Sequence, residues 1–213
     1  MNSTQRYYKR GRFPARFWGD QVLKAMNGKK HAAMPEWALV EVQDGDYRNI
    51  LDIGCGGGAN MQRMLKMFPE SKVTGLDIYN YALAMAHDVN FDDIDQGRCF
   101  LSGGNASQMP LPKDSFDLAT AFETVYYWSG ITGCFTEVKR VLKPGATFLI
   151  ANELDGNAPS DHRIELVVGL LHIYTIEELE SILTAAGFVD IQTHHDEARR
   201  FICLKCRKPS EEK

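Results

Sequence analysis

The stretch Leu51-Asp52-Ile53-Gly54-Cys55-Gly56-Gly57-Gly58-Ala59-Asn60 constrains this chain more than any other. An apolar strand that runs through a glycine turn into a helix lets backbone approach a ligand closely, with N–H groups free at the helix start. Gly75-Leu76-Asp77-Ile78 follows after a helix-length interval. Asp77 therefore ends a second strand, where a carboxylate can accept hydrogen bonds from both hydroxyls of a ribose. Glycines alone mark turns. The order strand, glycine turn, helix, strand, acid points further, to a ligand containing adenosine.

Repeated alternation extends this pattern along the chain. Strands are expected at 49–53, 72–77, 98–102, 116–122 and 147–152, with helices between them marked by the apolar faces Met61, Met64, Leu65, Phe68, then Ala82, Met85, Ala86, Val89, then Ile131, Phe135, Val138, Val141, Leu142. Residues 91–97 read as an acidic loop, and Lys143-Pro144-Gly145 as the end of a helix. Strand and helix in alternation give a parallel sheet covered on both faces. Past Glu153 the rhythm breaks, and residues 154–174 read as an irregular insertion, a lid or an acceptor wall. Thr175 and Glu178 form a capping-box pattern that opens a last helix. Strands at 189–194 and 200–206, joined by a short turn, should close the chain as an antiparallel hairpin at one edge.

Ahead of the sheet, Pro14, Trp18, Val22, Ala25 and Met26 suggest one helix, and Pro35 to Val42 a second, which together form an extension over 1–47 that covers the ligand edge. Residues 1–12 and 208–213 read as loosely attached tails. At 213 residues one domain is the default, here 48–207. The net charge of −4 hides eight Lys or Arg in residues 1–30 against the single acid Asp20. Such a run most often is a solvated helix face or tail, with an entry that meets an anionic acceptor or a membrane surface as the alternative; no nucleic-acid motif accompanies it, so no nucleic-acid partner is expected. No apolar run is long enough for a membrane span, and no secretory signal pattern opens the chain. The expected compartment is the cytoplasm, which also suits five cysteines placed mostly in apolar runs. Cys203 and Cys206 have metal-like spacing, yet on a strand they point to opposite faces, so no metal site is expected.

The glycine stretch at 51–58 and Gly75-Leu76-Asp77, followed by Gly104-Asn105-Ala106, Asp114-Ser115-Phe116-Asp117-Leu118 and Arg140-Val141-Leu142-Lys143-Pro144-Gly145, resemble the class I S-adenosylmethionine-dependent methyltransferases in motif and in order. The resemblance covers about residues 48–206. It implies a Rossmann-like, doubly wound α/β fold with seven strands, mostly parallel with an antiparallel last strand. It implies S-adenosylmethionine as methyl donor, a small-molecule acceptor and S-adenosylhomocysteine as product. By the same resemblance Asp52, Gly54 and Gly56 lie about the donor's methionine part, Asp77 binds the ribose, Ile78, Asn105 and Ala106 meet the adenine, and Cys55 and Phe122 also belong to the donor site. The family usually has Asp where Asn105 stands; Asn105 keeps a carbonyl acceptor without the charge.

The residues themselves agree with a donor that carries a sulfonium and no phosphate. Asp52, two residues before Gly54, supplies negative charge that would repel a pyrophosphate. Gly54, Gly56 and Ala59 also match the dinucleotide fingerprint, which leaves a nucleotide-dependent oxidoreductase as an alternative, and a nucleoside-binding module without chemistry as another. Acceptor-side candidates follow the fourth strand. Glu123 could act as a base or hold a cation, and Tyr126, Tyr127 and Trp128 could stack on an aromatic or cationic acceptor or serve as core anchors. The Asp or Asn, Pro, Pro, aromatic signature of enzymes that methylate nucleic-acid amino groups is absent there. His172 is a further candidate base in the insertion, set against a structural role.

Overall fold

The computed structural model describes Gly28, residues 31–168 and residues 171–210. Seven strands, β1 (Asn49–Ile53), β2 (Lys72–Asp77), β3 (Cys99–Gly103), β4 (Phe116–Phe122), β5 (Leu142–Asn152), β6 (Val189–Asp196) and β7 (Phe201–Arg207), form one sheet in the order β3-β2-β1-β4-β5-β7-β6. The pairs among β1 to β5 are all parallel, and β7 runs antiparallel to both neighbours, β5 and β6. The order reverses between β1 and β4, the position at which open α/β sheets leave a crevice outside their carboxyl ends.

Alternation within the strands explains why this sheet is covered twice. Ile50, Leu118, Leu149 and Cys203 enter one apolar core, whereas Leu51, Ala119, Ile150 and Leu204 enter the other. A strand buried on both sides reads as a continuous apolar run, as 118–122 and 148–151 do. The first core is closed by α1 (Ala33–Leu39) through Met34, Ala38 and Leu39 and by α2 (Ala59–Met67) through Met61, Met64 and Leu65. Beside them lies α3 (Asn80–Val89), which buries Ala82 and Ala86. The second core is closed by α5 (Ile131–Val141), with Phe135 and Val138 fully buried, and by α7 (Ile176–Ala185), with Leu179 and Leu183. Thr175 caps α7 in the expected box: its side chain accepts from the Glu178 N–H at 3.2 Å and the Glu178 carboxylate accepts from the Thr175 N–H at 2.9 Å.

The structure corrects three local expectations. Residues 91–95 form a short helix, α4 (Phe91–Asp95), rather than loop. Asp92 and Asp93 suit the first turn of a helix, and buried Asn90 anchors the start by donating to the carbonyls of Gly58 and Ala86. Strand β5 begins at Leu142, directly after α5. Phe116 pairs with Leu142 and Leu118 with Thr147, so Lys143-Pro144-Gly145 lies within an irregular stretch of the strand, which tolerates proline's missing donor. In the insertion, residues 159–168 form α6 (Pro159–Val168), with proline at its first position.

The first expected helix, at Trp18 to Met26, lies outside the described residues, as do the basic residues up to Lys30 and the last three residues of the tail. Lys208 is held by Asp114 Oδ1 at 2.5 Å and by the Leu142 carbonyl. No helix among the described residues is long and apolar enough to cross a membrane. All five cysteines are free and buried, and Cys203 and Cys206 enter opposite cores.

Candidate active site

The crevice at the carboxyl ends of β1, β2 and β4 is a cleft of about 280 Å³. Ten of the residues singled out from sequence line it: Gly54, Gly56, Asp77, Ile78, Asn105, Ala106, Phe122, Glu123, Tyr127 and Trp128. Asp52, Cys55, Tyr126 and His172 stand behind its wall.

On the β1 side the turn is shaped by close approach. Gly54 has φ +75°, and a Cβ there would come within 2.2 Å of Thr124 Oγ1. The Gly54 and Cys55 N–H groups both donate to the Leu76 carbonyl, at 2.7 and 3.0 Å, and the Gly56 N–H donates to Asp77 Oδ2 at 3.0 Å. Three turn amides expected to be free are therefore committed within the protein, which weakens any phosphate cradle here. Asp77 Oδ1 accepts from the Tyr79 N–H at 2.9 Å, so both carboxylate oxygens are oriented by backbone and the carboxylate borders the cleft. Burial pushes Asp77 above the ordinary aspartate range, against the pull of those N–H donors. Behind the turn, Asp52 is 2% exposed. Its Oδ1 accepts from Thr120 Oγ1 at 2.8 Å and its Oδ2 has no hydrogen-bond partner among the described residues. Burial raises its pKa to about 7, with Asp77 adding repulsion and the Thr120 hydroxyl opposing. The Cys55 thiol points away from the cleft: a Cβ on Gly75 would lie 2.8 Å from its Sγ.

On the β3 side, Asn105 Oδ1 accepts from both the N–H and the hydroxyl of Ser107, at 3.0 and 3.1 Å. That is the turn-forming use of asparagine, and it occupies the carbonyl expected to meet adenine. Ile78 is 58% exposed at the cleft edge. Tyr79 and Tyr81, stacked at 5.3 Å, also line the cleft. Neither is anticipated from the sequence, although tyrosines two and four positions past Asp77 were a legible signal.

The acceptor-side candidates hold together as a unit. Glu123 directly follows β4 at φ +56°, a conformation that non-glycine residues adopt under constraint from their surroundings. Its Oε1 accepts from Tyr126 Oη at 3.0 Å and from the Glu153 N–H. The Leu154 N–H donates to Tyr126 Oη at 3.2 Å, so Tyr126 is a buried support for Glu123 and not a wall of the cleft. Burial first, and then the neighbouring Glu153 carboxylate, push the pKa of Glu123 to about 8. Glu153 meets His31 Nδ1 at 3.1 Å, a pair that lay too far apart in sequence to be anticipated. Trp128 Nε1 donates to Thr124 Oγ1 at 3.2 Å, and the indole packs edge-on against Phe135, 5.9 Å away. His172 donates its backbone N–H to the Tyr126 carbonyl at 3.0 Å, and its ring is engaged outside the cleft: Nδ1 is 2.8 Å from Glu165, Nε2 is 3.3 Å from Glu178, and the ring contacts Tyr174 at 4.4 Å. Those acids belong to α6 and α7, so the side chain of His172 ties the insertion to the last helix.

A sheet of this order, with a glycine turn after β1 and an acid at the end of β2, is the fold of solved methyltransferase structures, and part of the sequence matches a methyltransferase family. Residues 51–150 match the family described as a methyltransferase domain. Sterol 24-C-methyltransferase ERG6B of Gibberella zeae is 30% identical over 157 residues, which is 70% of this chain and 40% of that protein. The chain spans about two-fifths of the length of such curated relatives. Among solved structures, the putative methyltransferase in complex with the Trm112 activator of Haloferax volcanii has a TM-score of 0.78 at 16% identity, covering 98% of this chain and 99% of that one. A SAM-dependent methyltransferase from Aquifex aeolicus has a TM-score of 0.72 at 19% identity, with 88% and 97% covered.

Proposed function

We propose that this protein transfers a methyl group from S-adenosylmethionine to a small-molecule acceptor in the cleft at the carboxyl ends of β1, β2 and β4. The observation that carries the proposal is Asp77, held from behind by the Gly56 and Tyr79 N–H groups and bordering the cleft as a ribose acceptor. Two further features support a sulfonium donor over a dinucleotide: the unpaired Oδ2 of Asp52 behind the turn, and turn amides already engaged with Leu76 and Asp77.

In this reading Asp52, Gly54, Cys55, Gly56 and Phe122 surround the methionine part, with Cys55 contributing backbone, and Asp77 takes the ribose hydroxyls. Ile78, Asn105 and Ala106 bound the adenine, Asn105 by its place in the turn. The donor supplies an electrophilic methyl on an excellent leaving group, so alignment provides much of the acceleration. Glu123, Tyr127 and Trp128 face the acceptor, and Tyr126 positions Glu123. The described part of the insertion forms the outer wall and residues 31–47 a cover, a placement supported by the His31 to Glu153 contact. The five buried free thiols support a reducing, cytoplasmic setting.

Titration calorimetry with S-adenosylmethionine and S-adenosylhomocysteine tests this directly. Both should bind the folded protein, and Asp77→Ala should weaken both at least about tenfold through loss of hydrogen bonds to a charged group. Failure of the folded wild type to bind either compound, or tighter binding of a nicotinamide dinucleotide, would overturn the proposal.

A further inference from the structure

We infer that the acceptor is a small amine, received as its ammonium at the open oxygen of Glu123 and deprotonated there as the methyl group arrives. This rests on the methyltransferase reading above and assigns its substrate class. Both hydrogen bonds to Glu123 converge on Oε1, from Tyr126 and from the Glu153 N–H. Its Oε2 receives none among the described residues, and Glu123 lines the cleft. The left-handed backbone at Glu123 keeps this arrangement where an ordinary strand end would turn the side chain elsewhere.

The charge of the cleft decides between acceptor types. Its charged lining among the described residues is Asp77 and Glu123, with no Lys, Arg or His, and a second carboxylate, Glu153, stands behind Glu123. Phe122, Tyr127 and Trp128 add aromatic surface that favours a cation. Methylation of an amine keeps one positive charge throughout and moves it from sulfur to nitrogen, so an acidic and aromatic wall stabilises reactant, transition state and product together. A phenol or carboxylic acid would react as an anion between Asp77 and Glu123, with no cation from the cleft lining beside it. An alkene also yields a cation, yet brings no proton for Glu123 to take before the transfer.

The step balances with the groups present. Glu123 Oε2 takes one N–H proton from the ammonium, the freed lone pair forms the N–C bond to the methyl carbon, and the C–S bonding pair stays on sulfur as a thioether. The proton on Glu123 then leaves to solvent with the product.

The test uses the full chain saturated with S-adenosylhomocysteine and titrated with benzyltrimethylammonium, a mimic of a fully methylated product, with its uncharged isostere neopentylbenzene, and with benzenesulfonate. The cation should bind at least about tenfold tighter than either, and Glu123→Gln should erase that preference while it still binds S-adenosylhomocysteine within about twofold, which controls for folding. Equal binding of the uncharged isostere, or a preference that survives Glu123→Gln, overturns the inference. In a turnover assay of primary amines against phenols, release of S-adenosylhomocysteine with amines supports it. Release with phenols alone overturns it and leaves the methyltransferase reading standing, whereas loss of S-adenosylhomocysteine binding by the folded wild type overturns both.

Discussion

Asp52 and Glu123 both resist ionisation because burial strips them of water, and their partners give them different tasks. Asp52 is enclosed behind the glycine turn with one oxygen held by Thr120 and the other unpaired, a place from which negative charge acts on a neighbouring cation without touching an acceptor. Glu123 is supported from behind and borders the cleft. With its pKa near 8, and with Glu153 and Tyr126 as its titratable neighbours and His31 beyond Glu153, the ionised base becomes the major form only above that pH. The pH dependence of kcat/KM, which reports the free enzyme, should therefore rise through about 8 in the wild type. Glu123→Gln should lose this limb and about 10² to 10⁴ of kcat, the usual range for a general base, as measured by a pH–rate profile. At Gly54 the constraint is steric: φ +75° and a Cβ 2.2 Å from Thr124 Oγ1. Gly54→Ala should cost about 1–3 kcal/mol in denaturant unfolding and displace Thr124, and with it the indole of Trp128.

Among the elements, the insertion and the closing hairpin are joined by an ionic cluster whose two aspartates are buried. Arg200, in the turn between β6 and β7 at φ +63°, meets Asp155 Oδ1 at 2.6 Å and also Asp161 at the start of α6, and His195 lies 3.3 Å from Asp155. Asp161 is only 1% exposed, so Arg200→Met should leave an uncompensated buried charge and cost about 3–5 kcal/mol, with amide exchange rising first in α6. This cluster was invisible in sequence, because its members lie about forty positions apart and none belongs to a periodic pattern. Strands β1, β2 and β4 were legible to the residue, since burial on both faces writes them as apolar runs bounded by glycine or charge. The start of β5 was not: Lys143-Pro144-Gly145 carries the local signal of a stop, and only pairing with β4 makes it part of a strand. Likewise the glycine turn and Asp77 were legible as residues that border one cleft, whereas the engagement of Asn105 with Ser107 and of His172 with Glu165 and Glu178 depends on contacts that residue type does not encode.

Taken over the whole molecule, the buried acids give stability a pH dependence of definite sign. Asp52, Asp77 and Glu123 all have native pKa values raised above those of the unfolded chain, Asp52 from 3.8 to about 7 and Glu123 from 4.5 to about 8. The native state then holds protons that the unfolded chain has released, so their contribution is complete below about pH 4 and is lost as pH rises through 7 and 8. Asp155 and Glu165 are shifted the other way by Arg200, by His162 and His172 and by backbone donors, so their contribution is present above the ordinary carboxylate range and is lost in acid. The donor-free protein should accordingly be most stable in mild acid, near pH 5, and decline toward pH 8. Asp52→Asn should flatten that decline, with a change in Tm between pH 5 and pH 8 smaller than the wild type's by at least about 3 °C, roughly what 1 kcal/mol produces in a chain of this size. A cationic donor beside Asp52 favours its ionised form, so binding of S-adenosylmethionine near pH 6 should release protons, seen as a heat that varies with the ionisation enthalpy of the buffer. The Asp52→Asn variant should release fewer. A release unchanged by the substitution would show that Asp52 does not face the donor's positive charge.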